Sequence, residues 1–382
     1  MSHPPFATDD DVREYVERIV RLADAWEFHS FTIGTRLTIE LADDESRAVR
    51  RDLNIRVAMA AAEQLPPDRL GPRDPTHENA DIVFLVSYPG RWVEVVPTPL
   101  FVYGRYLKFS RDLPQARWLC VRCRGKGMKF GHPCGACGGL GKMFPNSVEE
   151  VIGAPLLDVF RGEDTKFHAT GRQDIDVRML GRGRPFAIEL VRPRRRTADL
   201  PALEHRINSS QQSVAVRELQ IAGRALVRKV DTFRADKSYR AIVLCRRTLN
   251  STEIDGLKSL AGTTIGQQTP QRVAHRRADK VRMRSIRSAS ARIVEGDGAQ
   301  TRFELDLLTQ SGTYIKEFIT GDDGRTRPSL SEILGAECIC EQLDVLEVHF
   351  DPIAEDRGEG GLTAEDAEEQ KKEERRREEK MN

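Results

Sequence analysis

Two pairs of closely spaced cysteines restrict how the middle of this chain can fold. The spacing is Cys120-x2-Cys123, ten residues, then Cys134-x2-Cys137. Two intervening residues let both thiolates of a pair face one ion, and the short loop lets the two pairs complete a tetrahedron. Residues 119–144 are poor in apolar side chains, so metal binding would have to supply the free energy that a hydrophobic core cannot. The spacing predicts a structural zinc site, because four thiolates leave no position for a catalytic water.

The other cysteines and the N-terminus indicate the class of protein. The chain of 382 residues begins with an acidic stretch, MSHPPFATDDD, and no segment approaches the roughly 18 apolar residues of a membrane span. We therefore expect a soluble, cytoplasmic protein of two or three domains without a membrane partner. Cysteines in a reducing compartment do not indicate disulfides. Cys245, Cys338 and Cys340 are interpreted as thiols in the core or on the surface rather than as ligands.

The distribution of charge indicates a polyanionic partner that the total charge conceals. The formal net charge is only +1. Residues 272–292 nevertheless contain eight basic residues against one acidic residue, and residues 120–144 contain five basic residues and no acidic residue. Such clusters are typical of surfaces that hold nucleic-acid phosphates. We expect Arg276 and Arg277, within the most basic stretch, to belong to a nucleic-acid-binding face.

Hydrophobic periodicity predicts a small α/β domain over residues 1–118. Helices are expected over 9–28 and near 44–64, and alternating apolar residues predict a strand over 37–41. Two further strands are expected at Ile82–Val86 and Trp92–Val96, separated by a turn at Tyr88-Pro89-Gly90.

The pattern after the cysteine-rich insert of residues 119–144 is α+β. Residues 145–352 form the predicted second large domain, with a helix expected within 213–230 and four strand candidates: Phe186–Val191, Tyr239–Leu244, Phe303–Thr309 and Leu343–Phe350. The remaining residues, 353–382, form a highly charged tail that we interpret as a solvated helix or a disordered segment.

One segment places two carboxylates among several arginines. The run Gly171-Arg172-Gln173-Asp174-Ile175-Asp176-Val177-Arg178 continues through two further arginines, Arg182 and Arg184. Arginines that surround a carboxylate favour its ionised form and also hold RNA phosphates. Composition alone leaves open the alternative of a loop with ordinary surface ion pairs.

This segment resembles the catalytic motif of pseudouridine synthases, in which Gly-Arg-x-Asp presents the catalytic aspartate. The longer run GRQDIDVRMLGRGRPFAIEL is similar to one subfamily, the Pus-ten synthases of tRNA positions 54 and 55. Three further stretches resemble that subfamily in the same order: PLFVYGRY with SRDLPQ (99–115), Lys237-Ser238-Tyr239, and SGTYIKEFITGDDGRTRP (311–328). The resemblance covers roughly residues 95–350. The first 95 residues match only the general character of a THUMP-containing RNA-binding domain, and no cysteine precedes Cys120, although relatives often have another CxxC pair there.

The resemblance implies a function and a set of site residues. It implies a pseudouridine synthase that acts on tRNA without an organic cofactor, with Asp174 as the nucleophile that attacks either the uracil ring or ribose C1′. Lys316 is the expected cation beside Asp174, and Arg325 is the second candidate. Tyr239 is expected to stack on the target uracil, Tyr314 to line the uridine site and Arg172 to contact the substrate. Asp176 is expected to point to the opposite side from Asp174 and to form a structural ion pair. The sequence does not determine the oligomeric state, and a monomer is favoured.

Two other functions are weighed against this one. A non-catalytic zinc-ribbon protein that binds tRNA would explain the cysteines and the charge but not the ordered Asp, Tyr and Lys motifs. An RNA methyltransferase would need a glycine-rich loop between a strand and a helix. The best candidate stretch, Gly135–Gly141, contains Cys137 and follows no predicted strand, so this function is rejected.

Overall fold

An N-terminal unit of two helices and three strands precedes the cysteine-rich insert. The computed structural model describes residues 6–66, 80–276, 278–296, 298–351 and 353. Within the N-terminal unit the elements are α1 (Asp9–Ala23), β1 (Phe31–Leu37), α2 (Asp43–Gln64), β2 (Ile82–Tyr88) and β3 (Trp92–Pro97). Strand β1 runs parallel to β2, and β2 runs antiparallel to β3. The two helices pack on this sheet around a buried core that includes Tyr15, Ile19, Leu53, Val57 and Phe84.

The strand that alternation predicted at residues 37–41 is wrong in position. Leu37 is the last residue of β1, and residues 38–42 have no regular structure. Strand β1 instead pairs along its whole length with β2, from Phe31 opposite Ile82 to Leu37 opposite Tyr88. Pairing with a neighbouring strand therefore decided the position of this strand, rather than the local alternation.

A ten-stranded mixed sheet forms the centre of the second large unit. Its strands are β4 (Leu100–Lys108), β7 (Asp164–Ala169), β8 (Val177–Val191), β9 (Val214–Ala222), β10 (Lys237–Cys245), β11 (Thr264–Gln267), β12 (Arg282–Gly296), β13 (Thr301–Thr309), β14 (Thr326–Arg327) and β15 (Cys338–Val348). The order is β14-β11-β12-β13-β10-β15-β8-β4-β9, with β7 also paired to β8. Strand β15 runs parallel to β8, whereas the other neighbouring strands of this sheet are antiparallel.

Helices cover both faces of this sheet. They are α3 (Val148–Phe160), α4 (Leu200–Ser210), α5 (Arg224–Thr232), α6 (Ser251–Gly256), α7 (Ile315–Thr320) and α8 (Leu330–Leu334), with 3-10 turns at Leu257–Leu260 and Gln271–Arg276. Alternate side chains of β4 enter different clusters: Val102 joins the main core, while Phe101 and Tyr103 pack with Val227 and Val230 of α5. The expected helix within 213–230 is therefore only partly right, because its first half is β9, paired with β4.

The insert and the predicted tail complete the description of the chain. The insert contains a two-stranded hairpin, β5 (Met128–Lys129) and β6 (His132–Pro133), and an isolated bridge between Leu119 and Lys142 closes its base. Nearly all of the predicted tail, residues 353–382, lies outside the described residues, so its interpretation is untested.

Strand β4 lies in residues 1–118, which the sequence assigned to the first domain, but it pairs within the large sheet. The domain boundaries themselves stay predictions. Among the described helices, none has the length and apolar character that crossing a membrane requires.

Candidate active site and metal centre

Asp174 lies in the loop that connects β7 to β8. These two strands pair antiparallel up to Ala169 opposite Phe186, and the chain leaves the sheet before it returns as β8 at Val177. The loop turns tightly, since the Val177 backbone N–H donates to the carbonyl oxygen of Asp174 at 3.3 Å. The side chain of Asp174 is 39% exposed, so it is accessible to a substrate.

Side chains of the upstream stretch 99–115, which contains PLFVYGRY and SRDLPQ, hold this loop. The Gln115 side chain donates to the Gly171 carbonyl oxygen at 3.2 Å and accepts from the Gln173 backbone N–H at 3.1 Å. The hydroxyl of the fully buried Tyr106 donates to Oε1 of Gln173 at 2.7 Å and accepts from Nε2 of Gln115 at 3.0 Å. The two stretches that resemble the family are thus joined directly by hydrogen bonds.

Two buried cations lie beneath the loop. Lys108 Nζ donates to the carbonyl oxygens of Ile175 at 2.6 Å, Leu113 at 2.8 Å and Asp174 at 3.3 Å, and burial lowers the pKa of this lysine to about 8. Arg184 Nη1 donates to the carbonyl oxygens of Thr170 at 2.8 Å and, more weakly, of the next residue in the loop. Since buried carbonyl groups need partners, these contacts fix the backbone on both sides of the aspartate.

The carboxylate of Asp174 lies between two cations. Nη1 of Arg272 is 3.1 Å from Oδ1 of Asp174, and Nζ of Lys316 is 3.8 Å from Oδ2. Lys316 is much closer to Asp176, at 2.6 and 2.7 Å from its two carboxylate oxygens. Burial alone would raise the pKa of Asp176, but the hydrogen bonds and charge of Lys316 lower it, and the net pKa falls below the ordinary value.

The expected orientation of Asp176 is therefore wrong. Side chains two residues apart in an extended strand lie on the same face, so an extended backbone gives no reason to place the two carboxylates on opposite sides. In the structure the chain turns from Asp174 to Val177, and both carboxylates contact Lys316. The expected ion pair of Asp176 exists, and its partner is the lysine that was expected beside Asp174.

Arg272 is the residue that sequence reasoning missed. It lies in the 3-10 turn Gln271–Arg276, and its Nε is held at 2.5 Å by Oε1 of the buried Glu317. Burial lowers its pKa, but the hydrogen bond and charge of Glu317 outweigh burial, so the net pKa is raised and the guanidinium stays charged. Its only signal in the sequence was that it is the first basic residue of the stretch 272–292. Arg325, the second candidate, donates to the Thr269 carbonyl oxygen and pairs with Asp279.

Two predicted aromatic residues lie near these charges. Tyr239 is half-buried on β10 between Leu307 of β13 and Val345 of β15; burial raises its pKa to about 12, and the nearby charge of Asp174 acts in the same direction. The ring of Tyr314 lies 5.9 Å from the guanidinium carbon of Arg272. The main chain of Tyr314 is fixed by the Gln267 side chain, which accepts from its N–H at 2.9 Å and donates to its carbonyl oxygen at 3.0 Å.

The structure describes only part of the predicted RNA-binding residues. Arg172 is exposed in the same loop as Asp174. The side chain of Arg276 and the whole of Arg277 lie outside the described residues, so their assignment to a tRNA-binding face stays a prediction.

The four cysteines of the insert form one buried cluster whose geometry fits a metal ion. The sulfur atoms of Cys120, Cys123, Cys134 and Cys137 all lie within 4.8 Å of one another. The Cys120–Cys134 and Cys123–Cys137 sulfur pairs are 3.9 and 3.8 Å apart. Tetrahedral zinc with Zn–S bonds of about 2.3 Å requires sulfur separations of about 3.8 Å. The cluster can therefore hold a zinc-sized ion.

Two glycines complete the cluster in matching positions. The N–H of Gly127 donates to Sγ of Cys123 at 3.3 Å, and the N–H of Gly141 donates to Sγ of Cys137 at 3.2 Å. Both glycines have positive φ angles, and a Cβ atom on either would approach a backbone carbonyl oxygen within 2.4 Å. Hydrogen bonds from backbone N–H groups to cysteine sulfurs favour thiolates, as metal ligation requires.

Comparison with known proteins gives a consistent result. The profile of a family described as "Pus10, C-terminal" matches residues 101–349. A protein of Archaeoglobus fulgidus named tRNA pseudouridine synthase Pus10 is 39% identical over 348 residues, which cover 89% of this chain and 92% of that relative. A Methanopyrus kandleri protein of the same name is 40% identical over 352 residues, which cover 88% and 78% of the two chains.

Similarity to solved structures is weaker. A chain of the "Crystal Structure of a Cbf5-Nop10-Gar1 Complex" aligns with 53% of this chain and 45% of its own length. The TM-score is 0.31 and the identity is 18%, values too low to support a conclusion about this protein.

Proposed function

This chain belongs to the Pus10 family of tRNA pseudouridine synthases, and we propose that it uses Asp174 to isomerise uridine in tRNA. Family membership makes the protein an isomerase that converts uridine to pseudouridine. The proposal adds the residues that act and the target nucleotides, positions 54 and/or 55 in the TΨC loop. The single observation that supports the role of Asp174 most strongly is its accessible carboxylate between the cations of Arg272 and Lys316.

The reaction exchanges one bond between base and ribose for another. The N1–C1′ bond breaks, the base rotates in the pocket, and a C5–C1′ bond forms, while a proton leaves C5 and N1 gains one. Atoms and electrons balance without an oxidant or a reductant, so no organic cofactor takes part. The carboxylate of Asp174 attacks either ribose C1′ or the uracil ring, and both routes require its ionised form.

Two cations flank Asp174 where a bound RNA would close over the site. A bound and flipped uridine excludes water, and desolvation disfavours a charged carboxylate. Opposite charges within about 4 Å reverse that effect. Arg272 and Lys316 both meet this distance in the free protein, at 3.1 and 3.8 Å.

The remaining site residues are assigned to substrate binding. Tyr239 stacks on the target uracil, as aromatic side chains do in enzymes that extract a base from its stack. Tyr314, beside Arg272, lines the uridine site. Arg172, exposed in the loop of Asp174, contacts the RNA backbone together with Arg276 and Arg277.

Two parts outside the catalytic site have proposed roles. Cys120, Cys123, Cys134 and Cys137 hold a structural Zn²⁺ ion, whose ligation would stabilise an insert that lacks an apolar core. The N-terminal unit acts as an RNA-binding accessory domain of the THUMP-containing type.

The replacement Asp174→Asn tests the catalytic assignment. It should abolish pseudouridine formation in an unmodified tRNA transcript without cofactor, mapped at single-nucleotide resolution. Affinity for tRNA should stay within a few-fold, because phosphate contacts provide most of it. Asp176→Asn is the matched control, since it removes a carboxylate two residues away and should retain turnover. If Asp174→Asn keeps appreciable activity, the assignment is wrong and Asp176 becomes the next candidate. A wild-type protein that binds tRNA without forming pseudouridine would instead favour a non-catalytic tRNA-binding protein.

A further inference from the structure

The hairpin of the insert carries an aromatic side chain that is almost fully exposed to solvent. Phe130 lies at the turn between β5 and β6, and its 91% exposure is the highest of any large apolar residue that the structure describes. Burying such a ring would stabilise a structure by about 1.5–3 kcal/mol. The amino group of Lys129 lies 5.4 Å from the centre of the ring. The ring and the amino group beside it are therefore both accessible to another molecule.

The insert that presents this ring carries charge of one sign. Four of its basic residues form no ion pair with any residue in the described part of the chain: Arg122, Arg124, Lys126 and Lys129. The insert has no acidic residue from 120 to 144, and its fifth basic residue, Lys142, pairs with Glu150 at its base. Unpaired cations in the same small insert as an exposed aromatic ring complement a polyanion that also has flat apolar groups, which describes a nucleic acid.

The base of the insert is close to the catalytic loop along the chain. The bridge between Leu119 and Lys142 closes the insert, four residues after Gln115. Gln115 contacts both Gly171 and Gln173 in the loop of Asp174. An RNA bound at Asp174 therefore lies next to the root of the insert.

We propose that the insert tip, defined as Arg122, Arg124, Lys126, Lys129 and Phe130, is an RNA-binding site. Phe130 stacks on an unpaired nucleobase, and the four basic side chains contact the neighbouring phosphates. The base is unpaired, because bases inside an A-form duplex are not accessible to an aromatic side chain. This inference rests on the proposed function, since the RNA is the tRNA substrate.

The variant Phe130→Ala tests the stacking contact. Dissociation constants for an unmodified tRNA transcript are measured over a range of salt concentrations. Loss of one stacked base should weaken binding about fivefold or more, with an unchanged salt slope, because stacking releases no counterions. Phe130→Trp should restore the affinity. The double variant Arg122→Met/Arg124→Met should instead make the log–log salt slope shallower by somewhat under two units.

Phe6→Ala is the matched control. Phe6 is also an exposed phenylalanine, at 46%, but the acidic residues Asp9, Asp10 and Asp11 follow it closely. Its removal should leave tRNA affinity unchanged. Zinc content and thermal unfolding are compared for all variants, so that a damaged insert is not mistaken for a lost contact.

Three outcomes would overturn the inference. One is a folded, metal-containing Phe130→Ala protein with wild-type affinity, and another is an equal loss of affinity in Phe6→Ala. The third is a wild-type dimer that dissociates on Phe130→Ala, which would mean that a second copy of the chain covers the ring. The binding assay does not depend on turnover. A failure of pseudouridine formation in the wild type would therefore refute the proposed function and remain distinguishable from a failure of this contact.

Discussion

Replacing Arg272 with methionine should reduce the rate of pseudouridine formation more than the same change at Lys316. The guanidinium of Arg272 is the cation nearest to Asp174, at 3.1 Å. Coulomb's law gives about 1.3 kcal/mol for charges at this distance in water and about 5 kcal/mol at an effective dielectric constant of 20. The two side chains are 41% and 39% exposed, so solvent screening places the net value near the lower limit, at about 1–2 kcal/mol. A loss of that size slows the reaction about 5- to 30-fold.

Lys316 should matter less than the sequence alone suggested. Its amino group is 3.8 Å from Asp174 but 2.6 Å from Asp176, so most of its charge compensates the second carboxylate. We expect Lys316→Met to slow the reaction by less than Arg272→Met. In an Asp176→Asn background, Lys316 has no competing carboxylate, and its removal should then have a larger effect.

Single-turnover pseudouridine formation at saturating protein is the assay, because it separates chemistry from tRNA affinity. Arg287→Met is the control: Arg287 lies in the same basic stretch, but its partner is Asp236, at 3.3 Å. This control should leave the saturated rate unchanged. If Arg272→Met keeps the wild-type rate while Lys316→Met loses most of it, Arg272 is only a neighbour and the family-based assignment of Lys316 is right.

Three further predictions concern the metal, stability and tRNA binding. Mass spectrometry should find one zinc per chain in protein purified without chelator, and Cys134→Ser should lose it; metal-free wild-type protein would contradict this. Asp344→Asn should lower the free energy of unfolding by about 1–3 kcal/mol, because the buried Asp344 pairs with Arg111 and Arg178. Burial raises the pKa of Asp344, but the two arginines outweigh burial and hold its pKa in the folded protein below the ordinary value of 3.8. The ion pairs therefore stabilise the folded protein fully at pH values above 3.8. This stabilisation is lost as the pH falls through the lower pKa that Asp344 has in the folded protein. The free energies of unfolding of the wild type and of Asp344→Asn, measured with denaturant, should converge only at acid pH. A difference that stays constant with pH would refute the ionic origin of the stabilisation. Arg276→Ala/Arg277→Ala should make the salt dependence of tRNA binding shallower by somewhat under two log–log units, and an unchanged slope would mean that these arginines face elsewhere.

Elements with strong local signals were predictable from the sequence. Residues 44–64 and the strands at 82–86 and 92–96 agree with α2, β2 and β3 to within two residues. The first helix was predicted to residue 28 but ends at Ala23. The side chain of Glu27 instead accepts hydrogen bonds from the backbone N–H groups of Arg196 and Thr197, contacts about 170 residues away that no local pattern contains.

In the candidate site, too, contacts between residues far apart in the sequence could not be predicted from local patterns. Resemblance to a family predicted Asp174 and Lys316 as site residues, because short motifs carry both residues. It did not identify Arg272, which reaches Asp174 across 98 positions of sequence. The turn at residues 174–177 was also missed, because these residues were interpreted as part of a strand.

The basic residues of the catalytic segment divide into those that already have partners within the protein and those that can reach RNA, and burial and ion pairing together decide between them. Arg184 is 1% exposed and donates to loop carbonyls, while Arg178 and Arg182 form ion pairs with Asp344 and Asp351. Arg172 is exposed and has no ion pair among the residues that the structure describes. Composition alone would assign all four arginines of this stretch to phosphate binding. The structure instead leaves only Arg172 for the substrate, because RNA could reach the other three only by breaking the contacts that they already make.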